Sequence, residues 1–178
     1  MRFHPSGYHP SGFFIALLGE QIEACHEIGV RCPIYYTVGW SATQAEQHPE
    51  WLVRDKEGRP VVVNVDPSAQ PGDRRPYTSW KYLCPSGAYL EHMLAQTQEI
   101  VDLFEVDGMW YDICSTPGPC YCQNCLDGMR KAGLNPDKEE DAFKYYVKKW
   151  EHFLTECNRI VHAKFPQATT YYNGMTKN

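Results

Sequence analysis

Three cysteines at C-x-C-x-x-C spacing, Cys120, Cys122 and Cys125, form the sharpest chemical pattern in this sequence. Thiolates at this spacing supply three ligands from one loop, and a tetrahedral zinc site needs a fourth. Cys84, ahead of a predicted helix, is the first candidate for that ligand, and Cys114 is the second. A closed site of this kind would be structural. An iron–sulfur cluster uses the same ligand type but ranks lower, because no second cluster motif is present. The alternative is that the three cysteines are free thiols that pack in the loop and bind no metal.

A second candidate for chemistry is Asp112, which stands at the end of the apolar run 106–113. Aspartate is disfavoured inside strands, so a buried-strand pattern that ends on one points to chemistry rather than packing. Side chains alternate along a strand, which puts Asp112 and Trp110 on the same face. The alternative is an aspartate that caps the following turn through hydrogen bonds to the backbone. The residues alone leave both interpretations open.

The elements that must position these groups alternate between helix and strand. Apolar spacing predicts helices over 15–28, 85–104, 125–132 and 135–165, and strands over 30–38, 106–113 and 168–173. Alternation of this kind predicts an α/β fold with a parallel sheet and helices outside it. Three strands make a poor free-standing sheet, so we expect part of a (β/α)₈ TIM barrel. Barrel enzymes carry their reactive groups at the C-terminal ends of strands, where Asp112 and Asn173 would both lie.

The predicted connection 39–84 is long, irregular apart from one short β-prone run at 61–65, and rich in aromatic side chains. Loops of this length inside a compact domain are usually functional. At the mouth of a barrel, Trp40, His48 and Trp51 would suit stacking on the apolar C–H faces of sugar rings. Any one of them could instead simply pack the loop against the barrel.

Composition narrows the class of protein. A length of 178 residues with 43% hydrophobic and 22% charged residues is that of one ordinary globular domain. The net charge of −5 argues against a nucleic-acid partner, which would require clustered Lys and Arg. No apolar run is long enough to span a membrane, and the N-terminus lacks a signal-peptide core. We therefore expect a cytoplasmic domain whose eight cysteines are thiols or metal ligands.

Several motifs occur in order along nearly the whole chain, at residues 18–26, 35–40, 48–52, 54–59, 82–86, 106–112, 119–125 and 128–130. In this combination they resemble the hypothetical glycosyl hydrolase 6 family, a group similar to the α-L-fucosidases of glycoside hydrolase families 29 and 151. The resemblance implies a catalytic TIM barrel and a retaining exo-glycosidase of carbohydrate metabolism. It also implies that Asp112 is the nucleophile.

The resemblance has consequences for the extent of the domain as well. The family's acid/base carboxylate and its earlier histidine-bearing strand have no counterpart in the sequence. Residues 1–178 are therefore expected to be a fragment of a single catalytic domain, holding roughly strands 3 to 5 with their helices. Any self-association is expected to use the missing regions. A carbohydrate is the expected partner, and the expected sugar-binding residues are Trp40, His48, Trp51, Trp110 and Asn173.

The cysteine cluster is also similar to the zinc site of family 42 β-galactosidases. That similarity implies that Cys84 joins Cys120, Cys122 and Cys125 around a structural zinc. Two alternatives to a fucosidase-like enzyme remain. One is a β-galactosidase-like hydrolase, and the other is a non-catalytic, zinc-stapled carbohydrate-binding module.

Overall fold

The secondary structure is described for residues 12–64 and 79–174 in a computed structural model of the chain. In chain order the elements are α1 (Gly12–Glu27), β1 (Ile34–Thr37), α2 (Ala42–Gln47), a 3₁₀ turn (Pro49–Trp51), β2 (Val62–Asn64), β3 (Ser79–Lys81), α3 (Gly87–Leu103), β4 (Gly108–Asp112), α4 (Gln123–Lys131), α5 (Glu139–Lys164) and β5 (Thr169–Tyr172). Among these residues no helix is both long and apolar enough to cross a bilayer.

The central sheet has the order β1-β4-β5, and both pairings are parallel. Helix α3 lies in the connection from β1 to β4, and α5 lies in the connection from β4 to β5. The two helices pack against each other. The predicted mixed α/β class with a parallel sheet is therefore confirmed, and β4 is the strand with a partner on both sides.

Side chains of β4 alternate between two environments, as the two-residue period of a strand requires. Met109 and Tyr111 are buried. Tyr111 shows what covers this face, because its hydroxyl donates to Thr97 Oγ1 of α3 at 3.4 Å and its ring meets Phe153 of α5 edge-on at 5.8 Å. One face of the sheet therefore forms the core with α3 and α5.

The opposite face of the sheet carries exposed aromatic side chains. Tyr35, Trp110 and Tyr171 are 56%, 44% and 57% exposed. Trp110 meets the other two rings at centroid distances of 6.1 Å and 5.5 Å. A parallel sheet normally has both faces covered, so three large rings in one exposed row mark this face as unusual for such a sheet.

Helix α5 shows how the sequence encodes the packing. Its first turn holds three acidic residues, 139–141, which complement the positive end of the helix dipole. Further along, Trp150, Phe153, Cys157 and Val161 recur at helical spacing and are buried. These are the positions that the apolar period predicts to point inward.

The predicted irregular connection 39–84 contains regular structure, so that prediction is wrong in part. Ser41 caps α2 by accepting a hydrogen bond from the Gln44 N–H at 3.2 Å, and β2 pairs with β3 as an antiparallel ribbon. Strand β2 falls within the β-prone run 61–65, whereas the six-residue helix α2 and the three-residue strand β3 are too short for periodicity to reveal. Residues 65–78 of this connection lie outside the described residues.

The predicted strands and helices keep their order, but their ends differ: α1 and α4 begin three and two residues earlier than predicted, and the other elements are shorter. Strand 30–38 reduces to Ile34–Thr37, and strand 106–113 reduces to Gly108–Asp112. Ser86 occupies the N-cap position of α3, but its side chain makes no capping hydrogen bond. Its hydroxyl instead lies 3.2 Å from Cys84 Sγ.

The N-terminal edge of the sheet is joined through Asp107. One carboxylate oxygen, Oδ2, lies 2.7 Å from His26 Nε2 and accepts from the Cys32 N–H at 2.7 Å. Arg31 donates to the carbonyls of Asp107 and Gln167, both at 2.9 Å. These contacts connect the end of α1 to the beginnings of β1, β4 and β5.

The His26–Asp107 contact predicts a pH-dependent contribution to stability. The hydrogen bond to Asp107 raises the pKa of His26 above 6.5, although burial opposes the effect. The Cys32 N–H and then His26 lower the pKa of Asp107 below 3.8. The histidine contribution is complete below the unfolded-state value and is lost as pH rises through the folded-state value. The aspartate contribution is complete above its unfolded-state value and is lost as pH falls through the folded-state one.

We therefore expect His26→Ala to lower the free energy of unfolding more at about pH 5.5 than at about pH 8.5. Urea unfolding at the two pH values measures the difference. His152→Ala, at an exposed position of α5, is the matched control and should show no such trend. Equal destabilisation by His26→Ala at both pH values would contradict the assignment.

Candidate functional site

Asp112 is the last residue of β4, and donors from both neighbouring strands hold its carboxylate. The Tyr35 hydroxyl of β1 donates to Oδ2 at 2.5 Å. Asn173, directly after β5, donates through Nδ2 to Oδ1 at 2.6 Å. Thr37 Oγ1 donates to the Tyr35 hydroxyl at 3.2 Å, which fixes the direction of that group. The half-buried carboxylate is therefore oriented from both sides of its strand.

These donors also set the charge of Asp112. Burial by itself raises the pKa of the carboxyl group, but hydrogen bonds from Tyr35, from Asn173 and from the Ile113 N–H lower it below its usual value. Hydrogen bonds to the ionised form favour that form. Asp112 is consequently an anion at neutral pH, on the same exposed face as Trp110.

The backbone turns sharply immediately after this carboxylate. Ile113 has a φ of +56°, a left-handed conformation that is rare for a β-branched residue and costs roughly 1–3 kcal/mol. Gly39, at the end of the neighbouring strand, makes room for the turn. A Cβ at Gly39 would lie 2.2 Å from the Ile113 carbonyl oxygen. In this conformation the Ile113 N–H donates to the Asp112 carboxylate.

Two of the expected sugar-binding residues come together with Asp112. Asn173 contacts the carboxylate directly. Trp110 lies two residues earlier on the same face of β4 and is 44% exposed. The structure thus places an amide, an indole and a carboxylate at one edge and on one face of the sheet.

The aromatic residues of the connection 39–84 divide into two groups. Trp40 packs against Trp80 with ring centroids 5.3 Å apart, and it lines an open groove together with Tyr35 and Thr37. His48 instead stacks on Trp51 at 3.8 Å.

Trp51 packs against the first two turns of α3, through Tyr89 at 5.1 Å and His92 at 5.2 Å. Neither His48 nor Trp51 has a hydrogen bond or ring contact with Asp112 or its donors. Of Trp40, His48 and Trp51, Trp40 is therefore the one that shares a groove with Tyr35 and Thr37 of the carboxylate site.

Sequence reasoning missed Tyr35 and Thr37. Alternation within the predicted strand 30–38 does put both on one face. This alternation places Tyr35 and Thr37 beside Asp112 only once the strand register is known, because Thr37 lies opposite Asp112 in the parallel pairing. A local pattern carries no information about which strands are neighbours.

The four predicted metal ligands converge at a second place. The Sγ atoms of Cys84, Cys120, Cys122 and Cys125 all lie within 4.8 Å of one another. Cys84 Sγ is 3.4 Å from Cys125 Sγ and 3.9 Å from Cys122 Sγ. Zn–S bonds of about 2.3 Å in a tetrahedron place sulfurs about 3.8 Å apart, so the spacing fits such an ion. Cys114 is not in the group; its thiol donates to the Tyr111 carbonyl at 3.4 Å.

Donors around the sulfurs suit thiolates. The backbone N–H groups of Arg54 and Cys122 donate to Cys120 Sγ at 3.3 Å and 3.4 Å. Hydrogen bonds from the other three cysteines and the charge of Lys149 hold the pKa of Cys84 well below its usual range, and hydrogen bonds within the same cluster raise the pKa values of Cys120 and Cys125. Metal-bound cysteine must be deprotonated, so this donor set fits a soft divalent cation.

The cluster ties together segments that are distant in sequence. Cys84 precedes α3, Cys120 and Cys122 lie in the loop that leaves β4, and Cys125 is in the first turn of α4. A metal held by these sulfurs would join the connection 39–84 to the loop that follows Asp112. Such a metal would be a structural cross-link between these segments.

Both a family profile and a solved structure relate the chain to glycoside hydrolases. The profile of a family described as hypothetical glycosyl hydrolase 6 matches residues 7–113. The solved structure of α-L-fucosidase isoenzyme 2 from Paenibacillus thiaminolyticus is similar with 34% identity and a TM-score of 0.72, over 89% of this chain and 22% of that one. No curated protein matches the sequence.

Two more distant structures share the fold. An α-N-acetylgalactosaminidase, NagBb from Bifidobacterium bifidum, has 14% identity and a TM-score of 0.58 over 95% of this chain and 23% of that one. An α-galactosidase, TtGalA from Thermus thermophilus, has 13% identity and a TM-score of 0.53 over 89% and 27%. The chain spans about a quarter of the length of these proteins.

The hydrogen bond from Tyr35 predicts the effect of removing its hydroxyl. Tyr35→Phe deletes a donor to the ionised carboxylate, so the pKa of Asp112 should rise. Carboxyl ¹³C NMR titration of the 178-residue chain measures it. Tyr171→Phe removes a hydroxyl from the same sheet face without touching the carboxylate and is the control. An unchanged Asp112 pKa in Tyr35→Phe would contradict the hydrogen bond.

Proposed function

The chain belongs to the hypothetical glycosyl hydrolase 6 family, and on that premise we propose that it carries the nucleophile of a retaining exo-glycosidase of the α-L-fucosidase type. Its domain is glycoside hydrolase-like, with fucosidase and galactosidase structural neighbours. The observation that carries the proposal is the two-sided hydrogen bonding of Asp112 at the C-terminal end of a central parallel strand. Carboxylates at this end of a strand are where α/β barrel enzymes place their chemistry.

The proposed role of Asp112 follows from its charge and orientation. A retaining glycosidase needs one ionised carboxylate to attack the anomeric carbon and form a covalent glycosyl-enzyme intermediate. The donors that lower the pKa of Asp112 keep it ionised before attack. They act again in the second step, when the carboxylate leaves as an anion. One acceptor site of the carboxylate stays free for the reaction, because a carboxylate offers about four such sites and the hydrogen bonds from Tyr35, Asn173 and the Ile113 N–H use the others.

We assign the chain to part of a (β/α)₈ barrel, roughly strands 3 to 5, within a single catalytic domain. The exposed aromatic face of the sheet supports this, since in a closed barrel the remaining strands would cover Tyr35, Trp110 and Tyr171. Within the described residues no second carboxylate contacts Asp112 or its donors. The acid/base partner, about 5–5.5 Å from the nucleophile in retaining enzymes, is therefore assigned to the rest of the domain.

The proposed sugar contacts come from the residues that border Asp112. Trp110 and Trp40 offer ring faces to the apolar C–H surface of a sugar, and Asn173 offers an amide beside the nucleophile. His48 and Trp51 are proposed to support the connection 39–84 rather than to bind sugar, because their rings pack on each other and the Trp51 ring packs on α3. An α-L-fucoside is the proposed substrate.

The proposed metal is zinc, held by Cys84, Cys120, Cys122 and Cys125. A site with four cysteine ligands leaves no open coordination position and contributes to folding rather than catalysis. The proposed effect is to hold the loop that follows β4, and with it the strained turn at Ile113.

The nucleophile assignment predicts the effect of Asp112→Asn. In the complete barrel domain this change should lower the rate of aryl α-L-fucoside hydrolysis on the order of 10⁴-fold or more, since the covalent step is lost. Azide should restore turnover in Asp112→Gly and give a fucosyl azide of inverted configuration. Asp127→Asn, which alters an exposed carboxylate of α4, should leave the rate unchanged.

Other outcomes would separate the alternatives. The 178-residue chain alone should show little or no hydrolysis, because it lacks the acid/base partner. Appreciable turnover by the chain alone, abolished by Asp112→Asn, would contradict that view of its extent. Turnover of an aryl β-galactoside instead of the fucoside would change the sugar and keep the nucleophile. Sugar binding that Asp112→Asn leaves intact, without any turnover, would favour a carbohydrate-binding module.

The metal assignment predicts about one zinc per chain in protein purified without added metal. Cys122→Ser removes one ligand and should lower both the zinc content and the melting temperature. Elemental analysis and thermal unfolding measure the two effects. Cys32→Ser, at a half-buried thiol outside the cluster, is the control. Metal-free protein with unchanged stability would leave the four cysteines as packed thiols.

A further inference from the structure

Lys149 of α5 is a buried lysine that faces the cysteine cluster. The residue is 6% exposed, and its Nζ lies 3.2 Å from Cys84 Sγ and 3.7 Å from Cys125 Sγ. The ring of Tyr146, 5.9 Å away, is its other close partner. In the described part of the chain no Asp or Glu pairs with it. The sulfurs are therefore its source of compensating charge.

The burial of Lys149 indicates that its positive charge has a role at the cluster. An ammonium group removed from water is costly unless an opposite charge or a full set of hydrogen bonds replaces the solvent. A neutral long side chain would fill the same space without that cost. The position beside two sulfurs consequently indicates that the positive charge itself has a use there.

A metal-bound site would carry a negative charge, and the positive charge of Lys149 would offset it. Four thiolates around one divalent cation carry a net charge of −2, and the cluster is largely buried. A lysine beside two of the sulfurs halves that excess charge and donates N–H groups to the thiolates. Groups that orient and neutralise metal ligands in this way typically affect metal affinity by 10–100-fold.

We propose that Lys149 is the built-in counter-charge of the four-cysteine metal centre and sets how tightly the centre holds its ion. This inference rests on the metal site proposed above and extends it to a residue that is not a ligand. It also gives α5 a place in the site. The sulfurs come from the segment before α3, the loop after β4 and the start of α4, and Lys149 adds the long helix that packs on α3.

Lys149→Met tests the proposal, since it keeps the length of the side chain and removes the charge. Zinc affinity is measured by competition with a chromogenic chelator. We expect the zinc dissociation constant to rise about 10–100-fold in Lys149→Met. Lys148→Met removes the same charge from the adjacent, exposed position and should change the dissociation constant by no more than about twofold.

Ser86→Ala separates charge from hydrogen bonding. The Ser86 hydroxyl lies 3.2 Å from Cys84 Sγ and 3.8 Å from Cys125 Sγ, the same two sulfurs that Lys149 faces. Its removal takes away a polar neighbour but no charge, so the loss of affinity should be smaller than in Lys149→Met. A loss as large as in Lys149→Met would show that hydrogen bonding, and not charge, is what the site requires, and would overturn the proposal.

Cobalt substitution shows whether a loss of zinc affinity in Lys149→Met comes from loss of the folded four-cysteine site. The cobalt form of Lys149→Met should keep the absorption spectrum of a tetrahedral tetrathiolate, which shows that all four ligands remain. If Lys149→Met does not fold, the pair Lys149→Arg and Lys149→Gln decides: the arginine variant should bind zinc more tightly than the glutamine variant. Wild-type affinity in Lys149→Met or in Lys149→Gln would overturn the proposal.

The result is independent of glycosidase activity. Wild-type chain that binds no zinc would remove the metal centre, and this inference with it, while leaving the role of Asp112 untouched. Wild-type chain that binds zinc, with Lys149→Met equally tight, would remove only the role of Lys149.

Discussion

The parallel pairing of β4 with β1 on one side and β5 on the other is the constraint on which the structure depends. Its register places Thr37 opposite Asp112 and Tyr111 opposite Tyr172. All three strands therefore end at the same edge, and Asp112 reaches a donor on each flank. A register shift of one residue would turn every side chain to the opposite face. The carboxylate would then point into the helices, away from Tyr35 and Asn173.

Strand β4 lies between two aspartates with different roles. Asp107 stands just before the strand and is occupied by the His26 ring, the Cys32 N–H and, at its carbonyl, Arg31. Those contacts join secondary-structure elements to one another. Asp112 at the other end also accepts strong hydrogen bonds, but on the exposed face of the sheet. The first aspartate serves the fold, and the second is oriented where a ligand can reach it.

The strained turn after Asp112 is held by its surroundings. The Val38 N–H donates to the Asp112 carbonyl at 2.9 Å, and the Cys114 N–H donates to the Asn173 carbonyl at 2.7 Å. These two bonds hold the backbone on either side of Ile113, and the missing side chain at Gly39 leaves space for the Ile113 carbonyl. A conformation that costs energy persists where neighbouring bonds over-determine it. The cysteine cluster lies further along this loop and anchors its far end.

Much of this arrangement could be predicted from local pattern. Apolar period and strand alternation predicted the order of helices and strands in the sheet layer, because burial of one face imposes those periods on the sequence. The cysteine spacing predicted three clustered sulfurs, and the strand ending on Asp112 predicted a carboxylate at the edge of the sheet where the strands end. The boundaries were less exact. The β-prone run 61–65 indicated β2, but α2 and the partner strand β3 were missed because short elements leave too few residues to show a period.

What the sequence by itself determined was therefore the set of elements and the residues able to do chemistry. Tertiary structure decided which of those residues meet. It chose Cys84 over Cys114, brought Tyr35 and Asn173 to Asp112, turned Ser86 from the helix end toward sulfur, and put Lys149 beside the cluster. The physical reason is that each of these contacts joins groups on different elements. Their distance depends on strand register and helix packing, which no local spacing records.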